Sequence, residues 1–356
     1  MNAKPLEQLV HEAQEGRLSR RAWMTRAVAL GMGGLALQEA QPAAAAASKK
    51  IAFKFAYTST PTNPVSMGYE KFAAVVREKG GGEIAVSTYC CNQLGNDQEL
   101  VQSVQYGALQ MGASSNNNFD QFTSKMMALE LPYLVRSADA YQKFWRTSYS
   151  DDIRKDIESK LGIKILMVMN AGGFRSIETI SALVHRPADL KGIKLRAANT
   201  PIELATLKAW GANPVPLPYN QVFTALQQGT VDGEVLQPVW FLSDKHWEVA
   251  KKICDIHYIM LSHIGFINLR YFNSLPKDVQ NILLESARVA EDFEWKVAAR
   301  AVEHARAKLK AIHGVEWYEP TGPILTQWID QSRPVWNQFS ERIGSGLIKR
   351  IEALNA

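Results

Sequence analysis

An α/β fold in two facing lobes, with a cleft between them and a long helix spanning both, is what the sequence predicts. Three observations predict it. The chain opens strand–helix–strand: Ile51–Tyr57 alternates apolar and polar residues, Tyr69–Lys79 has helical spacing, and Glu83–Tyr89 alternates again. A unit of helix, glycine, short strand and polar loop then occurs twice, once from Asn96 to Asn118 and once from Asn220 to Glu234, as two similar lobes would show. Finally, Pro276 to His313 keeps helical periodicity through Val279, Ile282, Leu283, Val289, Phe293, Val297 and Leu309, long enough for one helix or a broken pair to serve as a strut across both lobes.

Each element has its own signal. Phe72, Val75 and Val76 form the apolar side of the first helix, and Gly80-Gly81-Gly82 stops it. Asn96 is placed to cap a helix carrying Leu100, Val101, Val104 and Leu109, followed by a short strand near Met111 and the polar cluster Ser114–Asn118. Gly162–Met169 reads as a buried strand running into Asn170-Ala171-Gly172-Gly173, a crossover where the backbone bends. Pro187–Gly192 reads as a turn before a strand, Ile193–Arg196. Between Gly211 and Gly233 a proline-rich turn feeds a short helix capped by Asn220 and stopped by Gly229. A β-branched strand at Thr230-Val231 comes next. The tail from Pro320 is helical and packs back on the body. The expected division is 48–172 with part of 261–300 in the first lobe, and 173–260 with part of 301–356 in the second.

Residues 1–47 are read as a leader. Ser19-Arg20-Arg21 precedes an apolar, glycine-rich stretch, Ala27–Leu37, and an alanine run at Ala43–Ala47 supplies a small-residue exit. This is the layout of a twin-arginine export signal, and the apolar stretch is too short to span a bilayer. A periplasmic protein beginning near Ser48 is expected. The whole chain of 356 residues is 46% hydrophobic and 21% charged, with a formal charge of +5. That charge is mild and dispersed, without a basic run interleaved with aromatics, so no nucleic-acid partner is expected. Cys90 and Cys91 are adjacent, so a bond between them would make a strained ring; spacing leaves open a pairing of Cys254 with one of them in an oxidising compartment, and buried or free thiols are the reading preferred for all three.

Catalytic patterns are scarce. The histidines lack metal-ligand spacing, and no G-x-S-x-G, phosphate-binding loop or C-x-x-C is present. Asp244 and His246 read as helix-surface residues. Arginine suggests different chemistry, because a guanidinium fork matches a carboxylate with two parallel hydrogen bonds. Arg196 ends a strand whose Ile193 and Leu195 face the core, so it points the other way. Arg175 lies just past the Gly172-Gly173 bend. Tyr219, held by Pro214, Pro216 and Pro218, and Trp240, after Gln237-Pro238, are candidates to wall a pocket, whereas Trp210 reads as core.

At these residues the chain resembles the solute-binding proteins of TRAP (tripartite ATP-independent periplasmic) transporters, the dicarboxylate-binding family. Gln93–Leu100, Gly173-Phe174-Arg175, Pro187–Arg196 and Gly211–Gly233 carry the likeness in the family order, and the two arginines keep the family spacing. The resemblance implies a two-lobed periplasmic-binding-protein-like fold that closes on an organic acid and delivers it to TRAP permease membrane subunits. It further implies that Arg196 clamps the carboxylate, that Arg175 lines the pocket, that Tyr219 covers the ligand and that Ser115 and Asn116 supply first-lobe contacts. Some relatives hold a metal ion beside the ligand in the region matching Glu234–Gln237, which makes Glu234 and Gln237 candidate contacts. No cofactor is otherwise expected. The chain departs from the family pattern at Cys90-Cys91-Asn92, Glu178-Thr179 and Glu234–Gln237, all around the pocket. Two other readings stand beside transport: a receptor presenting the ligand to a sensor kinase, and a periplasmic enzyme folding around a cofactor before export.

Overall fold

The computed structural model describes residues 50–355; the leader expected at 1–47 lies outside them. The first lobe is built on a five-stranded sheet in the order β2-β1-β3-β10-β4. Strands β1 (Ile51–Ala56), β2 (Ile84–Tyr89) and β3 (Met111–Ser115) run parallel, and β10 (Met260–Asn268) lies antiparallel between β3 and β4 (Ile163–Phe174). The second lobe has a six-stranded sheet in the order β11-β9-β5-β8-β6-β7. Its strands are β5 (Ser176–Thr179), β6 (Lys194–Ala197), β7 (Asn213–Pro216), β8 (Gly233–Leu236), β9 (Lys252–Cys254) and β11 (Glu316–Tyr318).

Two strand-to-strand crossings join the lobes. The chain leaves the first sheet at Phe174 and enters the second at Ser176, with Arg175 between them. It returns from β9 to β10 through 255–259. The Arg175 amide donates to the Ile259 carbonyl across 2.9 Å, so the two crossings are tied side by side. Gly172 makes the bend before the first crossing. Its φ of +93° is open to glycine, and a Cβ there would meet Val239 Cβ at 2.8 Å.

Helix α1 (Pro64–Lys79) begins earlier than its apolar spacing suggests, because Asn63 accepts from the Val65 amide and Pro64 fits the first turn. Helix α2 (Asp97–Gln105) carries the expected cap. Asn96 Oδ1 accepts from the Gln98 and Glu99 amides, and the Glu99 carboxylate accepts from the Asn96 amide in return. Among the helices that the sequence leaves unmarked are α3 (Ala138–Arg146) and α4 (Asp151–Leu161), which pack on the first lobe. In the second lobe α5 (Pro201–Ala209) precedes β7.

Two local expectations fail between α5 and β8. Asn220 is not a cap: it sits inside a single turn, Tyr219–Gln221, that leads into α6 (Val222–Gln227), and α6 has no side-chain cap. Thr230-Val231 is not a strand either. Gly229 turns left-handed (φ 68°) and the Thr230 and Val231 amides both reach back to the Ala225 carbonyl, so extension starts only at Gly233. A Cβ on Gly233 would lie 2.3 Å from the Glu178 carbonyl oxygen, which is why the motif ends in glycine.

After α7 (Pro238–Ser243) and the short α8 (Leu269–Ser274), α9 (Lys277–Ala311) runs unbroken for 35 residues, about 50 Å at 1.5 Å per residue. It packs on α1 and β4 of the first lobe and on α7 of the second, the strut its periodicity implies. In the tail, α10 (Gly322–Ile343) places Trp328 edge-on to Trp210 in the second-lobe core, while its Val335, Phe339 and Ile343 enter the first-lobe core. Leu347, Ile348 and Ile351 of α11 (Ser345–Glu352) join them there.

Candidate functional site

The cleft between the sheets holds a cavity of about 240 Å³. Strand ends and helix starts aim at it from both sides, where backbone geometry gives way to side-chain choice. From the first lobe come Thr58, the start of α2 at Asn96-Asp97-Gln98, and Ser115, Asn117 and Asn118 after β3. From the second come Arg175, Arg196 and Asn199, the β7 end at Pro216–Tyr219, and Gln237 and Trp240. His263 of β10 forms part of the floor.

Arg196 is 3% exposed and sits on a strand whose Leu195 faces the core, so its guanidinium is delivered to the cleft. Nε and Nη2 donate to the Leu217 carbonyl at 3.0 and 2.8 Å, and the guanidinium carbon lies 5.8 Å from the centre of the Tyr219 ring. These contacts fix the fork in place. Among the described residues no carboxylate pairs with Arg196, and Nη1 has no hydrogen-bond partner. Burial pulls its pKa below the usual arginine value while Glu203 opposes the fall; a guanidinium starting so high stays charged.

Arg175 is held differently. Its Nη1 donates to Glu203 Oε2 at 2.6 Å, with both side chains buried. Burial alone would lower its pKa, but Glu203 more than offsets this and the net shift is upward. The second Glu203 oxygen accepts from the Ala198 amide at 3.0 Å, so the carboxylate also braces the segment after β6.

Opposite the arginines, Asp97 Oδ1 accepts from Thr58 Oγ1 (3.3 Å) and the Ser115 amide (3.4 Å), and its side chain remains 16% exposed. Burial raises its pKa, with the Ser115 amide pulling the other way. His263 is 1% exposed and burial pushes it down to about 3, so it is neutral at pH 7. Its Nδ1 pairs with the Tyr69 hydroxyl at 2.8 Å, leaving Nε2 facing Asp97 at 3.7 Å without a hydrogen bond. Trp240 stacks on His263, with centroids 5.8 Å apart, and meets Tyr219 edge-on at 5.3 Å; its indole N–H is anchored on the Ala171 carbonyl. The result is one uncompensated cation, one carboxyl group, several amides and hydroxyls, and two aromatic walls.

Of the sequence candidates, Arg175, Arg196, Tyr219, Ser115, Gln237 and Trp240 meet on this cavity. Asn116 does not. Its Oδ1 accepts from the Ser262 amide at 2.8 Å and ties the end of β3 to β10, while its neighbours turn to the cleft. Glu234 lies behind the cavity wall, fully buried, with Oε1 against His246 Nδ1 at 2.6 Å. His246 is therefore no surface residue: it is 3% exposed. Burial disfavours its charged form, but Glu234 outweighs this and its pKa rises. Asp244 accepts from the Tyr219 hydroxyl at 2.6 Å. Glu234 is engaged by His246, whereas Gln237 lines the cavity. Among the described residues no group of three or more His, Cys, Asp or Glu is arranged to hold a metal. Asp97 and His263 are absent from the sequence candidates. Asp97 looked like an ordinary first-turn acid beside a cap, and His263 lay in an apolar strand with nothing to show which sheet face met the cleft.

Comparison with known proteins places this architecture. Residues 55–342 match the model described as bacterial extracellular solute-binding protein, family 7. The 2,3-diketo-L-gulonate-binding periplasmic protein YiaO of Escherichia coli is 32% identical over 248 residues, covering 69% of this chain and 74% of that protein. The C4-dicarboxylate-binding periplasmic protein DctP of Rhodobacter capsulatus is 27% identical over 328 residues, covering 92% and 97%. A TRAP periplasmic solute-binding protein from Sulfurospirillum deleyianum, solved with bound succinate, superposes with a TM-score of 0.81 at 26% identity, over 86% of this chain and 99% of that one.

Proposed function

The chain belongs to family 7 of the bacterial extracellular solute-binding proteins, and on that premise we propose that it captures an organic acid in its interlobe cavity and hands it to a TRAP-type membrane permease. One observation carries the reading: Arg196 is a buried guanidinium with a fixed fork, no carboxylate partner among the described residues and a cavity in front of it. A buried cation is costly unless paired, and a ligand carboxylate supplies the pair. Arg175 lines the same cavity but is already matched by Glu203, so it does not demand a second anion.

Binding follows from the geometry. The carboxylate meets Arg196 in the second lobe, then Asp97, Ser115 and the amides at Asn117 and Asn118 close on its far end from the first. Asp97 and neutral His263 suit hydroxyl or keto oxygens, which favours hydroxy-, keto- or sugar acids; relatives bind 2,3-diketo-L-gulonate and C4-dicarboxylates. Ligand contacts made only in the closed form shift an open–closed equilibrium about the two crossings. The cycle is capture and release, with no bond made or broken in the ligand and no cofactor required. The leader at 1–47 exports the chain by the twin-arginine route, and the periplasm is where the named relatives work.

A thermal-shift screen of residues 48–356 against organic acids, sugar acids and neutral solutes tests the reading. Ligand at 100 times its Kd stabilises the fold by about 2.7 kcal/mol, and a raised Tm confined to carboxylates is the expected result. Shifts with neutral solutes alone would overturn it.

A further inference from the structure

The turn between β2 and α2 carries two adjacent cysteines, Cys90 and Cys91. Successive side chains on an extended strand point to opposite faces, so neighbouring thiols are normally held apart. Here they are not. Cys91 and Asn92 both take left-handed backbone, with φ of 61° and 60°, a conformation few non-glycine residues adopt and two in a row rarely share. The turn is closed by the Gln93 amide on the Cys90 carbonyl (3.1 Å) and the Gly95 amide on the Asn92 carbonyl (3.3 Å). Its effect is to fold Cys91 back on its neighbour, with the two Sγ atoms 2.6 Å apart. Cys90 is buried and Cys91 exposed. Cys254 cannot substitute for either: it lies in the second-lobe core, while Cys90 belongs to the first, and burial pushes its thiol well above the ordinary value.

The location connects the pair to the cavity. The turn ends at Asn96 and Asp97, both on the cavity wall. Cys91 Sγ faces the Ser59 carbonyl at 3.9 Å, and the next residue back, Thr58, donates to Asp97.

We infer that Cys90 and Cys91 are a redox-active dithiol that closes to a disulfide between neighbours and so fixes the turn presenting Asn96 and Asp97. The exposed Cys91 thiolate attacks a disulfide oxidant, forming a mixed disulfide and releasing one thiol. Cys90 then attacks the Cys91 sulfur, forming the Cys90–Cys91 bond and releasing the second thiol. The two protons and two electrons lost by the cysteines end on the two thiols of the reduced oxidant. The closed ring locks the backbone of both cysteines, and reduction frees it. The inference rests on the solute-binding reading only for the oxidising compartment that keeps the ring closed.

The test uses the protein of residues 48–356 treated with oxidised glutathione, then alkylated with iodoacetamide and mapped by mass spectrometry, alongside hydrogen exchange over 92–98 with and without dithiothreitol. The expected result is a peptide spanning Cys90 and Cys91 that is unlabelled and lighter by two hydrogens. Amides over 92–98 should exchange about threefold or more slowly in the oxidised form. Cys91→Ser should exchange alike in both conditions, while Cys254→Ser should behave as wild type. If Cys91→Ser fails to fold, wild type with both thiols first alkylated by iodoacetamide, a thioether block that dithiothreitol does not remove, takes its place. Full alkylation after oxidation, glutathione retained on Cys91, or exchange indifferent to dithiothreitol would each overturn the inference. None of these readouts involves a ligand, so a thermal-shift screen without a carboxylate hit would sink the transport reading and leave this one standing.

Discussion

Arg175 donates to Glu203 across 2.6 Å, and this pairing makes Arg196 the uncompensated charge of the cleft. Two arginines side by side would repel each other and oppose closure. With Glu203 beneath one of them, the wall carries a single net positive charge aimed at the ligand. The same carboxylate holds the Ala198 amide, so it also sets the path of the chain just after Arg196.

Replacing Arg196 by Ala should cost about 2–5 kcal/mol of binding, a Kd raised at least about thirtyfold, because the ligand carboxylate is then buried without a partner. Arg196→Lys should fall between, since a point charge cannot keep both bonds to the Leu217 carbonyl and still meet the ligand. Isothermal titration with whichever acid raises the Tm gives both values. An unchanged Kd in the Ala variant would mean that the clamp lies elsewhere.

Glu203→Gln acts on the fold before it acts on the ligand. It strips a buried guanidinium of its countercharge, a change that typically costs about 3–5 kcal/mol. Urea unfolding of the unliganded protein should show the loss, and Arg175→Met added to Glu203→Gln should recover part of it. Recovery sets a charge effect apart from simple loss of packing.

His263 makes stability depend on pH in a defined window. Its folded pKa is about 3 and its unfolded value about 6.5, so the unfolded chain binds a proton that the folded chain refuses. The stability linked to this group is fully present above pH 6.5 and is lost as pH falls towards 3, at about 1.4 kcal/mol per unit. Relative to His263→Gln, the wild type should therefore lose about 2 kcal/mol between pH 7 and pH 5. Urea midpoints of both proteins at the two pH values measure the difference. An equal pH response would place the histidine in contact with water.

Legibility in the sequence followed the range of the cause. Local causes were plain: the Asn96 cap, the unbroken apolar stripe of α9 and the core position of Trp210 are each set by residues a few positions apart. Arg196 was legible too, because strand alternation puts it opposite Leu195. Alternation did not separate Asn116 from Ser115 and Asn117, since β3 ends there in a short turn and the period of two no longer holds. His246 was misread as surface because its partner, Glu234, comes from another strand and nothing local announces it. Asp97 and Glu203 were hidden in the same way, since their partners, Thr58 and Arg175, come from distant parts of the chain.

The lobes are also tied outside the cavity, and there closure can be tested without touching the ligand. Asp244 accepts from the Tyr219 hydroxyl at 2.6 Å within the second lobe and from Thr60 Oγ1 of the first lobe at 3.1 Å. Thr60 is not on the cavity wall. Thr60→Val keeps the shape of the side chain and removes the bond between lobes, worth about 1 kcal/mol, so it should raise the Kd about two- to fourfold by depopulating the closed form. The loss should appear as a larger radius of gyration in solution scattering of the unliganded protein, with the unliganded Tm nearly unchanged. A weaker Kd without any change in shape would instead place the effect in the pocket, through Asp244 and the orientation of Tyr219.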